Sequence, residues 1–182
     1  MMRALPFALV LLAAGCVAPP VAVVPPPVVI APEQRNLRQE IAATPTLSRF
    51  AAALAASGDA RTAGSAAITV FATSDDAYAR LAPGVAEALV APENRDTLGR
   101  FVAYHLVEGR VDGAELRRRV AAGGGRALLP TLAGEPLAVT LTGDVVTLTD
   151  GDGDRAYLRT AESVRPNGVL HVVDGFLAPA MP

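Results

Sequence analysis

The chain contains no lysine; all 16 of its basic side chains are arginine. That removes the amine needed for a Schiff base and the phosphate-gripping lysine of a P-loop. There is one cysteine, Cys16, and there are two histidines, His105 and His171, in 182 residues. A zinc site takes three or four ligands from cysteine, histidine and carboxylate, usually in short-range pairs, and these residues do not supply that pattern. No Gly-x-Ser-x-Gly elbow is present to expose a nucleophilic serine. Aromatic residues make up 4% and the formal net charge is -2, so neither a base-stacking platform nor a basic surface for nucleic acid is on offer. The expectation is a non-catalytic protein with no cofactor, no metal and no nucleic-acid partner. What is present is a composition of 51% hydrophobic and 19% charged residues, enough for one globular domain with extensions.

The first residues read as an address. Arg3 precedes an apolar run from Ala4 to Ala14, well short of the roughly 20 residues that span a bilayer as a helix. The run ends in Leu12-Ala13-Ala14-Gly15-Cys16, small residues leading into the only thiol, and resembles a bacterial lipobox. The resemblance implies diacylglycerol transfer to the Cys16 sulfur, cleavage before Cys16 and acylation of the new amine. Two other readings stand beside it. One is cleavage by ordinary signal peptidase, for which nearby sites are poor and Pro19 follows Val17-Ala18; the other is an incidental cysteine in an apolar stretch. On the lipobox reading the chain divides into a leader (1–15), a lipidated cysteine with a Pro/Val-rich stalk (16–36) and a domain (37–182). Prolines at 19, 20, 25, 26, 27 and 32 rule out a spanning helix in the stalk and favour an extended spacer of polyproline II character. At ~3.1 Å per residue such a spacer reaches about 50 Å.

From Leu37 onward helical patterns come first and strand patterns later. Thr44-Pro45 looks like a helix start, and Leu47, Phe50, Ala51 and Leu54 recur at helical spacing until Gly58. Ile68 to Ala72 reads as a short strand, and Ser74-Asp75-Asp76 opens a helix with acids in its first turn. Further helices follow Pro83 and Pro92; in the latter Leu98, Phe101, Val102 and His105 share a face. Asp112 and Glu115 form a capping pair for a helix through Val120. The period then changes to two. Leu137 to Leu141 and Val145 to Leu148 flank Gly143-Asp144 as a hairpin, and Ala156 to Val164 and Val169 to Leu177 read as two more strands.

Three segments in this order resemble the boxes of the fasciclin (FAS1) family: Thr69-Val70-Phe71-Ala72-Thr73-Ser74-Asp75-Asp76-Ala77-Tyr78, then Tyr104-His105-Leu106-Val107, then Asn167 to Leu177. Thr46 to Phe50 is similar to the family's opening helix, so the likeness runs from about Leu37 to Pro179. Thr73 stands where the family usually has proline, which should loosen a turn, and Tyr78 where it has phenylalanine. The resemblance implies an α+β fold, a wedge made of a β-sandwich-like pair of sheets with several packed α-helices. It also implies adhesion or interaction instead of catalysis. Phe71, Ser74, Asp75, Asn167, Gly168, His171 and Asp174 are then the structural motif residues. Tyr104 and His105 are the candidate interaction residues, because the matching region is linked to receptor contact in some animal relatives, although their apolar setting also fits the core.

Asn167-Gly168 is a turn dipeptide that can launch the last strand, and His105, at the end of its helix, can tie down an orphan backbone group. Asp150-Gly151-Asp152-Gly153-Asp154 carries oxygens like the start of a calcium loop. Arg155 and Ala161 stand where such a loop wants glycine and glutamate, so it reads as a turn. Arg117-Arg118-Arg119 reads as a solvated helix face, with contact to anionic polysaccharide or lipid headgroups as the alternative. The functional expectation is an exported envelope lipoprotein, held to the membrane through Cys16, whose domain meets extracellular matrix, polysaccharide or an envelope protein. Val17 after the cysteine points towards outer-membrane sorting and leaves open which side the domain faces. The alternative is a periplasm-facing module that binds a small ligand or envelope partner.

Overall fold

The computed structural model describes residues 34–180. The leader, Cys16 and most of the stalk lie outside the described residues. The domain begins with α1 (Leu37–Ala43), which Asn36 and Gln39 open with a capping box. Next come α2 (Ser48–Ser57), β1 (Ile68–Thr73), the short α3 (Asp75–Tyr78) and α4 (Val85–Leu89). They are followed by α5 (Arg95–Tyr104), β2 (Leu106–Glu108) and α6 (Gly113–Ala122). The remainder is β-structure: β3 (Arg126–Pro130), β4 (Pro136–Thr142), β5 (Val145–Thr149), β6 (Arg155–Tyr157), β7 (Ser163–Arg165) and β8 (Gly168–Val173). No helix among the described residues is long and apolar enough to cross a membrane.

The strands form two four-stranded sheets, ordered β2-β1-β8-β7 and β3-β4-β5-β6. In the first, β1 runs parallel to β8, from Ile68 opposite Gly168 to Thr73 opposite Val173. The second is antiparallel throughout. Two isolated bridges, Val107 to Thr131 and Leu158 to Val173, tie the sheets at their corners. The first sheet is the middle layer. Val70, Ala72 and Leu170 pack with Leu37, Ile41, Phe50, Leu54 and Phe101 from the helices. On the other face Phe71 and Val173 pack with Leu129, Val139, Val146 and Leu148 of the second sheet. All six residues of β1 are therefore buried, as expected of a parallel pair covered on both faces. The result is the α+β arrangement of two sheets and packed helices that the sequence implied.

Several boundaries differ from the sequence reading. Thr44-Pro45 does not open an α-helix: a 3-10 turn covers Pro45–Leu47, and the Thr44 hydroxyl donates back to the Glu40 carbonyl at 2.8 Å. The segment read as one strand from Ala156 to Val164 is two, with β6 in the second sheet and β7 in the first. A strand that changes sheets must break its ladder, and polar Arg159, Thr160 and Glu162 span the break. β2 lies where a strand was expected to follow His105, and β3, Arg126–Pro130, carried no expectation. Thr73 loosens nothing, being the buried last residue of β1 and paired with Val173.

Gly168 allows the β1–β8 pairing to start. Its φ is +151°, and a Cβ there would lie 1.7 Å from the Ile68 carbonyl oxygen and 2.8 Å from a Leu37 methyl. Gly143, in the β4–β5 turn, also has positive φ (+61°) but faces open space. Gly168→Ala should therefore cost at least ~3 kcal/mol, among the larger single-residue effects, whereas Gly143→Ala should cost about 1 kcal/mol from its backbone conformation alone. Urea unfolding of the two variants checks this, and equal losses would contradict the close approach at Gly168.

Candidate functional site

The motif residues converge on the middle sheet. Phe71 stands between the two histidines: its amide donates to the His105 carbonyl at 3.0 Å, and its ring stacks on His171 at 5.1 Å. His105 caps the end of α5 and is 1% exposed. Its Nδ1 is 2.9 Å from the Phe101 carbonyl oxygen, which can only accept, so Nδ1 carries the proton. Nε2 then has the lone pair, and the Thr73 hydroxyl donates to it at 3.0 Å. Thr73, at the family's proline position, thus satisfies a buried ring nitrogen. The Phe101 and Phe50 rings enclose the imidazole at 4.4 and 5.3 Å. Desolvation pulls its pKa down from 6.5 to about 4, against a smaller upward effect of the Phe101 carbonyl.

His171, also 1% exposed, donates from Nε2 to the Val111 carbonyl at 2.8 Å. Burial lowers its pKa, opposed by that carbonyl and by the carboxylates of Glu162 and Asp112. Tyr104 is buried too, and its hydroxyl has no hydrogen-bond partner among the described residues. Desolvation, with Asp150 and Glu135 adding to it, pushes that phenol above its ordinary range. The Tyr104 and His105 side chains thus sit inside the domain, and a partner would meet the surface they support.

The remaining motif residues join distant segments. Asp75 lies at the start of α3, yet its carboxylate accepts from the Arg49 amide at 2.9 Å and from the Ser48 amide and hydroxyl at 3.2 and 2.7 Å. It therefore caps α2; these bonds hold its pKa below the ordinary carboxylate value although desolvation, the largest single influence, pushes the other way. Ser74 is the N-cap of α3 by backbone position and makes no side-chain capping bond. Asn167 accepts from the Leu37 amide at 2.9 Å and donates to the carbonyls of Thr62 and Gly64 at 2.8 and 2.9 Å. Asp174 accepts from the Tyr157 amide at 2.8 Å and pairs with Arg159 at 2.5 Å, closing the corner between the sheets.

Among the described residues no cluster of three or more histidine, cysteine, aspartate or glutamate side chains could hold a metal. Asp150 turns both oxygens to backbone amides, of Asp152, Asp154 and Ala178. In the arginine run Arg118 and Arg119 pair with Glu115, while Arg117 donates to the carbonyls of Gly113 and Asp144.

Among the described residues, three clefts of about 300 Å³ or more were not located by sequence reasoning. One, of about 380 Å³, lies between Arg117, Glu162 and His171. A second, of about 370 Å³, has Arg80, Arg155, Tyr157 and Phe176 in its wall. The third, of about 300 Å³, is an apolar groove between α4, α5 and the C-terminal segment, and it shares Phe176 with the second. Each draws on segments far apart in the chain, so no local pattern announced it.

A model of the fasciclin domain matches residues 45–179. Protein sll1483 of Synechocystis sp. is 34% identical over 113 residues, which cover 62% of this chain and 56% of that protein. The uncharacterized protein sll1735 of the same organism is 30% identical over 109 residues, covering 60% of this chain and 71% of its own. The chain thus spans little more than half the length of the first of these relatives. Among solved structures, the FAS1 domain pair of the insect cell adhesion molecule Fasciclin I aligns with a TM-score of 0.57 at 20% identity. That alignment covers 72% of this chain and 45% of the insect one, a likeness of fold.

The two neutral, buried histidines make stability depend on pH. An unfolded histidine takes up its proton near pH 6.5, whereas His105 in the fold resists until about 4. Between these values the unfolded chain binds more protons, so stability falls as pH falls and is fully present above 6.5. His105 contributes at most roughly 1.4 kcal/mol per pH unit in that window, and His171, whose pKa burial also lowers, acts in the same direction. Tm should drop steadily from pH 7 to 4.5, and His105→Gln should flatten the slope even if it lowers Tm at every pH. A level profile for the unaltered chain would mean that the histidines are charged inside the fold.

Proposed function

Because the chain belongs to the fasciclin domain family, we propose that it works by binding, as an adhesion or interaction module carried on the bacterial cell envelope. Fasciclin domains are adhesion and interaction modules, and the observation that carries the reading is the family match across residues 45–179. The chemistry inside the fold agrees with it. The histidines are buried and bonded to backbone carbonyls, and the motif carboxylates are engaged by backbone amides that join neighbouring segments. The domain thereby offers its outer surface for contact.

The envelope setting rests on Leu12-Ala13-Ala14-Gly15-Cys16 and the proline-rich segment after it. Lipid on Cys16 would hold the chain at a membrane, and the segment would lift the domain away to meet matrix, polysaccharide or an envelope protein. A second reading, a module that binds a small ligand within the envelope, is favoured by the three clefts of about 300 to 380 Å³.

Surface attachment separates the two. A deletion strain should attach less, wild type should restore attachment, and Cys16→Ala should fail to restore it while the domain is still made. Attachment untouched by deletion would remove the adhesive role and leave the small-ligand reading.

A further inference from the structure

We propose that the apolar groove and the arginine-bearing cleft beside it form one site for a single-chain carboxylate amphiphile, a molecule of the fatty-acid class. This goes beyond the binding role proposed above and does not depend on adhesion or on the lipid anchor. The groove is lined by Val85, Ala88 and Leu89 of α4, Phe101 of α5, and Phe176 and Pro179. Val85 is 44% exposed, and Phe176, only partly buried, stacks on Phe101 at 5.2 Å. Such a surface loses free energy in water and recovers it when covered by an alkyl chain.

The head group is indicated by charge. Phe176 is also a wall of the cleft that holds Arg80 and Arg155. Arg80 reaches the carbonyl of Asp174, two residues before Phe176 in the chain, and lines the same cleft as that ring. Neither arginine has a carboxylate within ion-pair distance among the described residues. Asp174, in the same cleft, is already paired with Arg159, which leaves the exposed Asp154 against two guanidinium groups. Guanidinium groups grip a carboxylate with paired N–H donors, and the alkyl tail would run past Phe176 into the groove. A groove of about 300 Å³ holds one chain, not the paired tails of a phospholipid. A free uronate would fill the cleft and leave the groove bare.

The test uses the full chain carrying Cys16→Ser, so that no acyl group of its own competes, and calorimetric titration with decanoate below its micelle concentration. One decanoate should bind per chain, at least tenfold more tightly than decanol. Arg155→Gln, which removes no side-chain hydrogen bond or ion pair among the described residues, should weaken decanoate binding several-fold and leave decanol unchanged. Arg80→Gln/Arg155→Gln should remove the difference between the two. Ala88→Trp, an exposed change that fills the groove, should abolish both with Tm unaltered. Equal affinity for decanoate and decanol in the unaltered chain would overturn the proposal, since the head would then not be read. So would competition by glucuronate as strong as decanoate's own binding, or binding to anionic phospholipid vesicles without binding to decanoate. Absence of saturable binding, or Ala88→Trp binding as well as wild type, would overturn it equally.

Discussion

The domain depends on a parallel pairing between its first strand and its last, and Asn167 is the residue that holds that pairing at its starting end. Its backbone carbonyl accepts from Ile68, the first residue of β1, and its side chain spends three hydrogen bonds on α1 and on the loop before β1. Two of the partners, the Leu37 amide and the Thr62 carbonyl, belong to buried residues, where a group left unpaired costs about 1–3 kcal/mol. Gly168 follows at once and lets the Ile68 carbonyl come to where no side chain could sit. Without this junction the middle sheet would lose the order that places helices on one face and the second sheet on the other.

The two histidines extend the same logic across the sheet. His105 and His171 lie on opposite sides of Phe71, one bonded to its backbone and the other stacked on its ring. Both imidazoles are kept neutral by burial, and both ring N–H groups satisfy carbonyls at the ends of segments, Phe101 in α5 and Val111 just before α6. They therefore work as structural donors, and what would be reactive chemistry at the surface is stabilising inside. The outer surface is then the part of the molecule free to vary in what it meets.

Three corners show how distant residues complete local elements. Asp75 caps α2 from the start of α3, Asp174 joins the end of β8 to β6, and Glu135 joins α5 to the C-terminal segment through Arg100 and the Ala180 amide. The last of these corners and Asp174 both act on the segment after β8, which carries Phe176. That ring ends up between a charged cleft and an apolar groove, where the two chemistries of an amphiphile can be met together.

Much was legible before the fold was known. Leu98, Phe101 and Val102 announced a helix face by spacing, Gly143-Asp144 announced the β4–β5 hairpin, and Asp112 with Glu115 announced the start of α6. The three boxes, in order, carried the family and with it the α+β fold. What the sequence could not express were relations between residues remote along the chain. Periodicity reports a segment's faces, and capping signals reach three or four residues; neither says which strand β1 will pair with, or that the acid opening α3 will serve α2. β6 and β7 merged into one strand because each is only three residues long and the polar stretch between them changes sheet. The clefts were invisible for the same reason: Arg80, Arg155 and Phe176 come from three separate segments, and only close packing brings their charges and ring to one place.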